Sequence, residues 1–200
     1  MSRWLPLLGV IAFLGFGIGL RCAVHRYRYG TWGIVLFRAR HSGQWLRDSL
    51  ALVLIIVTLV QAMVMALQPQ LLESSYVFRL PVWIGAVVMF AGVVAMYLAQ
   101  GHLGSSWRIG IDEGARLELM TGGLYRFCRN PIFLTMLVCV AGFTLMVPTR
   151  ISLVMLAGAA IAIRRQVVME ERYLTRNHGD AYRRYARDVG RFLPWLGRLR

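Results

Sequence analysis

The sequence predicts an all-α integral membrane protein with about five transmembrane helices and a cytoplasmic C-terminal helical region. Hydrophobic residues make up 58% of the 200 residues and charged residues only 16%, with a mean hydropathy of +0.56. Soluble domains are less apolar than this. The net charge is +14, and every basic residue is an arginine. Because the arginines lie between apolar runs rather than on one soluble face, we expect no nucleic-acid partner.

Five apolar runs account for the predicted helices. A bilayer core about 30 Å thick requires roughly 20 helical residues, and four of the runs reach or approach that length. The fourth and fifth runs are separated by only three residues, 148–150, which predicts a helical hairpin over 132–163. The runs are Trp4–Leu20, Ser49–Leu67, Pro81–Ala99, Ile132–Val147 and the shorter Ile151–Ile163.

The distribution of arginines predicts the orientation. Segments 21–48, 100–131 and 164–200 contain twenty arginines, and the opposite helix ends contain three. Since arginine is enriched on the cytoplasmic side, we expect a multi-pass protein of the cell inner (plasma) membrane with its N-terminus outside and its C-terminus in the cytoplasm. Anionic lipids of the inner leaflet are expected partners. The run Arg21–Tyr29 is interpreted as an interfacial anchor.

Polar residues in the C-terminal half indicate a binding site. Neither Glu170 nor Glu171 has a basic residue three or four positions away, so neither forms an ordinary ion pair within its helix. Each carboxylate must therefore face water, a distant arginine or a cationic ligand. Gly179 suits a helix stop, after which a second short helix follows.

The stretch TGGLYRFCRNPIF, residues 121–133, predicts a helix start. Asn130 suits the N-cap and Pro131 the first helical position. The free amides of a helix start, with Arg129 nearby, favour a carboxylate or phosphate ligand. Tyr125 and Phe133 either stack on a flat ligand ring or belong to an aromatic belt at the interface. The histidines and cysteines lack ligand spacing, so we expect no metal site.

Four patterns in order resemble the isoprenylcysteine carboxyl methyltransferase (ICMT) family, in the form of its bacterial-type membrane methyltransferases. The first is Gly123-Leu-Tyr125 followed by Arg129-Asn130-Pro131-Ile-Phe133, and the second is Glu170-Glu171-Arg-Tyr-Leu174. The others are Gly179, Tyr182 and Tyr185 at fixed spacing, and Arg191-Phe-Leu-Pro194. The resemblance covers about residues 100–195. It implies a catalytic region, 100–200, made of a cytoplasmic loop, the hairpin and the C-terminal helices; the first three apolar runs form an N-terminal three-span region, 1–99.

The resemblance also implies a cofactor and its site. S-adenosylmethionine would bind in a cytoplasm-facing pocket, and the substrate would enter laterally from the bilayer. Asn130 replaces the usual histidine and Phe133 the usual tyrosine. We assign catalytic roles to Arg165, Glu171 and Arg129. The cofactor-binding residues are expected to be Gly123, Tyr125, Arg129, Asn130, Pro131, Phe133, Gln166, Glu170 and Glu171.

The expected function is therefore S-adenosylmethionine-dependent methyl transfer to a lipophilic small molecule or a prenylcysteine-like carboxylate. Methyl transfer from a sulfonium requires alignment more than proton movement. Two alternatives remain: an NADPH-dependent membrane reductase of the sterol-reductase type, and a non-catalytic membrane accessory protein.

Overall fold

A computed structural model describes residues 2–37, 42–109 and 119–199, without the side chains of 42–44. Within this part of the chain the architecture is helical and contains no strand. Short helical turns at Gln70–Glu73, Gly104–Ser106 and Gly123–Arg126 connect the longer helices. The five long helices are α1 (Ser2–Tyr29, π-helical over Phe13–Leu20), α2 (Ser42–Leu67), α3 (Val82–His102), α4 (Pro131–Met146) and α5 (Arg150–Asp188).

The predicted five-helix membrane fold is confirmed, with a different distribution of lengths. Helices α1, α2, α3 and α5 are long and apolar enough to cross a bilayer. Helix α4 has 16 residues, which correspond to about 24 Å and fall short of the hydrocarbon core. The apolar run Ile151–Ile163, expected to be the short one, belongs instead to the 39-residue α5. That helix continues past its apolar part into the arginine-rich tail.

Helices α3 and α4 approach each other closely because glycines face each other across their contact. A Cβ atom at Gly142 would lie 2.5 Å from the Met89 nitrogen and 2.8 Å from the Gly85 oxygen. The Cys139 Sγ donates to the Met89 carbonyl oxygen at 3.7 Å. Small residues thus let the two backbones touch, a common device in membrane helix packing.

Replacing Gly142 with alanine is expected to destabilise the protein by about 1–3 kcal/mol, because the added methyl group meets fixed backbone atoms. Gly158→Ala is the matched control, since nothing lies within 4 Å of the corresponding Cβ position. Alanine should stabilise that helix by roughly 0.5–1 kcal/mol. Thermal unfolding in detergent, followed by circular dichroism, measures both changes. Shifts of the same sign and size would contradict the packing argument.

Buried polar contacts hold the connection between α4 and α5 against α2. The Thr149 hydroxyl caps α5 by accepting a hydrogen bond from the Ser152 nitrogen at 3.1 Å. Thr149 and Ser152 both donate through their hydroxyls to the Gln61 Oε1, at 2.8 and 3.1 Å. All three residues are buried. The tight connection predicted between the fourth and fifth helices is therefore present. Gln61 of α2 holds it through these hydrogen bonds.

The interpretation of Arg21–Tyr29 as an interfacial anchor is wrong for two of its residues. Arg21 and His25 are only 4% and 3% exposed. The Arg21 Nη2 donates to the Gly104 oxygen at 3.1 Å, and its guanidinium lies 5.1 Å from the centre of the Trp107 ring. These contacts attach the end of α1 to the segment after α3. Tyr27, which is 91% exposed, remains consistent with an anchor.

Candidate functional site

The turn before α4 is shaped by a glycine. Gly123 has a φ of +57°, a conformation that disfavours other residues, and His102 at the end of α3 occupies the space that a Cβ would need. The turn therefore packs directly on α3. The expected role of Gly123 in cofactor binding stays a prediction. Its role in the fold is to adopt the positive φ of the turn and to leave room for His102.

Asn130 and Pro131 occupy the N-cap and the first position of α4, as predicted. The Asn130 side chain, however, makes no capping hydrogen bond. Its Nδ2 donates instead to the Glu171 Oε1 and to the Arg191 carbonyl oxygen, both at 3.2 Å. The side chain thus joins the start of α4 to α5 and to the C-terminal tail.

Glu171 is the centre of this connection. Its Oε1 accepts hydrogen bonds from the Arg129 Nε at 3.1 Å, the Arg129 Nη2 at 3.0 Å and the Asn130 Nδ2. Its Oε2 accepts two from Arg191, from Nε at 3.0 Å and from Nη2 at 2.8 Å. Hydrogen bonding to Glu171 raises the pKa of Arg191. We call Glu171, Arg129, Asn130 and Arg191 the Glu171 network.

Arg129 fastens the tail to the start of α4. Beyond its two bonds to Glu171, its Nη1 donates to the carbonyl oxygens of Ala186 at 2.8 Å and Val189 at 2.6 Å, and its Nη2 donates to Gly197 at 3.0 Å. All five N–H groups of the guanidinium are thereby engaged, and its side chain is 1% exposed. In this arrangement Arg129 positions other groups, and its expected role toward a cofactor or substrate carboxylate stays a prediction.

A break in α5 brings the tail back to the turn. The predicted helix stop at Gly179 is confirmed, because this residue has a non-helical φ of 52° and ψ of −125°. Beyond it, the Tyr185 hydroxyl donates to the Tyr125 carbonyl oxygen at 2.6 Å. The Arg129 nitrogen donates to the Gly190 carbonyl oxygen at 3.0 Å. The turn before α4 and the acidic pair of α5 therefore meet at one end of the bundle.

Glu170 differs from its neighbour in having no hydrogen-bond partner among the described residues. It lies seven residues beyond the apolar run of α5, and burial together with the adjacent Glu171 charge raises its pKa to about 7. Glu170 is half-buried. One helical turn earlier, the Gln166 Oε1 is buried without a partner. Burial, and then the charge of Glu170, raise the pKa of the buried Tyr125 hydroxyl. We call Glu170, Gln166 and Tyr125 the acceptor cluster.

The Glu170 carboxylate and the Gln166 Oε1 of the acceptor cluster lack hydrogen-bond donors in the described part of the chain. An amide oxygen buried without a donor is costly, and a half-buried carboxylate loses part of its hydration. A ligand with several N–H or O–H donors, at least one of them cationic, would satisfy both oxygens and the negative charge. The cluster lies directly beside the Glu171 network, which holds its elements in place.

The remaining predicted residues are placed less centrally. Pro131 is buried and Phe133 half-buried in the first turn of α4. Arg165 is exposed, and in the described part of the chain it makes no hydrogen bond or ion pair with the Glu171 network. Its catalytic assignment stays a prediction. Sequence reasoning missed Arg191 as a site residue, although it opens the last motif of the resemblance, Arg191-Phe-Leu-Pro194.

The fold and the contacts of Glu171 define a multi-pass membrane protein with a buried polar cluster at one end of its helical bundle. The phospholipid methyltransferase family model matches residues 80–181, half of the chain. The chain belongs to this family. The matched region begins just before α3, a helix that we assign from the sequence to the N-terminal region. The boundary between the two regions at residue 99 stays a prediction.

A solved structure shares this fold. It is the structure of a eukaryotic intramembrane Ras methyltransferase, ICMT, with a TM-score of 0.63 and 19% sequence identity. The match covers 96% of this chain and 66% of that one. The chain thus spans slightly less than two thirds of the length of that protein. The comparison with curated protein sequences finds no match.

Proposed function

We propose that the protein transfers a methyl group from S-adenosylmethionine to a lipophilic acceptor that enters from the bilayer, such as a prenylcysteine-like carboxylate or another lipophilic small molecule. The observation that carries the proposal is the acceptor cluster, which lies within the residues matched by a methyltransferase family. We further propose that the site faces the cytoplasm from the inner (plasma) membrane, with the N-terminus outside, because the arginines concentrate at this end.

The donors of S-adenosylmethionine match the unpaired oxygens. The ammonium group or the ribose hydroxyls would bind the carboxylate of Glu170, and the Gln166 Oε1 would accept a further hydrogen bond. Tyr125 and Phe133 would lie against the adenine ring. Arg165, which the Glu171 network does not engage, is our proposed partner for the carboxylate of the cofactor or the substrate.

The residues act mainly by alignment. Bound S-adenosylmethionine supplies a methyl group on a sulfonium, an electrophile that an anionic oxygen or sulfur attacks directly. The Glu171 network fixes the turn before α4 relative to α5, so that the two sides of the pocket keep their spacing. The carboxylate of Glu170 holds the cationic end of the cofactor. No residue needs to remove a proton when the acceptor is already an anion.

Ligand-dependent thermal unfolding tests the proposal. S-adenosylmethionine and S-adenosylhomocysteine should each raise the unfolding midpoint of the detergent-solubilised protein, since a ligand at 100 times its dissociation constant adds about 2.7 kcal/mol. Stabilisation by NADPH alone would instead support the reductase alternative. A response to none of the three would support the accessory protein. Glu73→Gln, at the other end of the bundle and exposed, is the control variant and should respond like the wild type.

A further inference from the structure

A cavity lies beside Glu171, which is part of its lining. Its volume is about 630 Å³, and it is open to the surroundings. Successive residues of an α-helix are 100° apart, so Glu170 and Arg172 point to nearly opposite faces of α5. The cavity, which includes Arg172 and excludes Glu170, is therefore separate from the acceptor cluster. We call it the basic cleft; Val168, Arg172, Thr175, Arg176, Tyr182 and Leu199 line it.

The charge of the basic cleft is uncompensated. Arg172 and Arg176 are exposed, and neither forms a salt bridge with a carboxylate in the described part of the chain. Glu171 is the acidic residue of its lining, and both of its oxygens are already bound by arginines. Arg47 adds a third charge from α2, since its Nη1 lies 3.5 Å from the Sδ of Met169 at the cleft. An anion would neutralise this excess.

The rest of the lining is partly apolar, and the polar groups of two of its members are already paired: the Thr175 hydroxyl donates to the Glu171 carbonyl oxygen at 2.7 Å, and Arg191 pairs with the Glu171 carboxylate. Val168, Met169 and Leu199 supply hydrocarbon surface. Tyr182 is 1% exposed, and its hydroxyl is buried without a hydrogen-bond partner. A fitting ligand therefore combines an anionic group, an acceptor for this hydroxyl and an apolar chain. The cleft lies beside the end of the apolar segment of α5 and the first turns of α2. These positions correspond to the depth of the lipid headgroups.

We propose that the basic cleft binds the headgroup phosphate of an anionic phospholipid, with the start of an acyl chain along its apolar wall. Arg172 and Arg176 pair with the phosphate oxygens, a geometry that suits guanidinium groups. The Tyr182 hydroxyl donates to one of these oxygens. The proposal does not depend on the methyltransferase activity, because no residue of the acceptor cluster lines the cleft, although Glu171 and Arg191 of the Glu171 network do.

Native mass spectrometry of the protein in detergent with added lipid tests this proposal. The double variant Arg172→Gln/Arg176→Gln should bind phosphatidylglycerol at least 10-fold more weakly than the wild type, with weak phosphatidylcholine binding unchanged. Arg184→Gln/Arg187→Gln removes two exposed arginines of the same tail from outside the cleft and is the matched control. Equal losses in the two double variants would overturn the proposal, since charge alone would then explain them.

Further measurements distinguish a lipid phosphate from a free phosphate ion, test the role of the Tyr182 hydroxyl and check that the variants are folded. Millimolar inorganic phosphate should fail to displace phosphatidylglycerol; displacement would show a site for a soluble anion and overturn the lipid assignment. Tyr182→Phe keeps the packing of the ring, and its phosphatidylglycerol affinity should fall by a few fold. Unchanged affinity would remove the hydroxyl from the site and contradict its assigned role. Circular dichroism of each variant confirms that the helices are intact.

Discussion

Glu171→Ala is expected to destabilise the protein by about 3–5 kcal/mol. The substitution removes the acceptor of five hydrogen bonds and leaves Arg129, which is buried, without an anion. The contacts between the tail and the start of α4 should loosen together. Thermal unfolding in detergent measures the loss, and limited proteolysis should show faster cleavage after Asp188.

The double variant Glu171→Met/Arg129→Met distinguishes this account from a simple loss of packing. Removing both charges eliminates the uncompensated buried guanidinium, so the double variant should recover part of the stability lost in Glu171→Ala. A double variant less stable than the wild type by the sum of the losses in Glu171→Met and Arg129→Met would show that the two residues act independently. Glu73→Gln, which is remote and exposed, should leave the midpoint unchanged.

Glu170→Gln is expected to weaken ligand binding without reducing the stability of the protein, in contrast to Glu171→Ala. S-adenosylhomocysteine binding should weaken by about 10- to 150-fold, since a hydrogen bond to a charged group contributes roughly 1.5–3 kcal/mol. The unfolding midpoint without ligand should stay the same or rise, because no hydrogen-bond partner is lost and a half-buried charge disappears. Isothermal titration calorimetry measures the affinity. An unchanged affinity would remove Glu170 from the proposed cofactor site.

The raised pKa of Glu170 adds a dependence on pH. Burial raises this pKa from 4.5 to about 7, so the folded protein holds a proton that the unfolded chain releases. Below pH 4.5 both states are protonated; between pH 4.5 and 7 the unfolded chain is favoured increasingly as pH rises. Stability without ligand should therefore fall over this range. Binding of a cationic cofactor requires the ionised carboxylate, so its affinity should rise toward pH 7 and then level off.

The same pH series on Glu170→Gln isolates the contribution of this carboxyl group. The variant should lose the rise in affinity between pH 5.5 and 7, whereas contributions from other groups would persist in both proteins. Identical profiles for the wild type and the variant would assign the titration to another group. Glu170 and Glu171 are adjacent in sequence, yet one substitution should affect chiefly binding and the other chiefly stability.

Local features of the sequence predicted most of the architecture. The apolar runs, the spacing of arginines, Pro131 at a helix start and Gly179 at a helix break depend on hydropathy and backbone conformation, which neighbouring residues determine. The same reasoning failed where a partner lies far away in the chain. Arg21 is interpreted as an anchor from its basic neighbours, although Gly104 and Trp107 bury it.

Composition and residue spacing thus establish a membrane-spanning helical chain with a polar end and an acidic pair that has no partner in its own helix. The difference between the two members of that pair arises only in the folded arrangement. Glu171 meets Arg129 and Arg191, which lie 42 and 20 residues away, while Glu170 meets no donor in the described part of the chain. Side chains 100° apart on one helix face different neighbours, and those neighbours depend on how distant segments fold back.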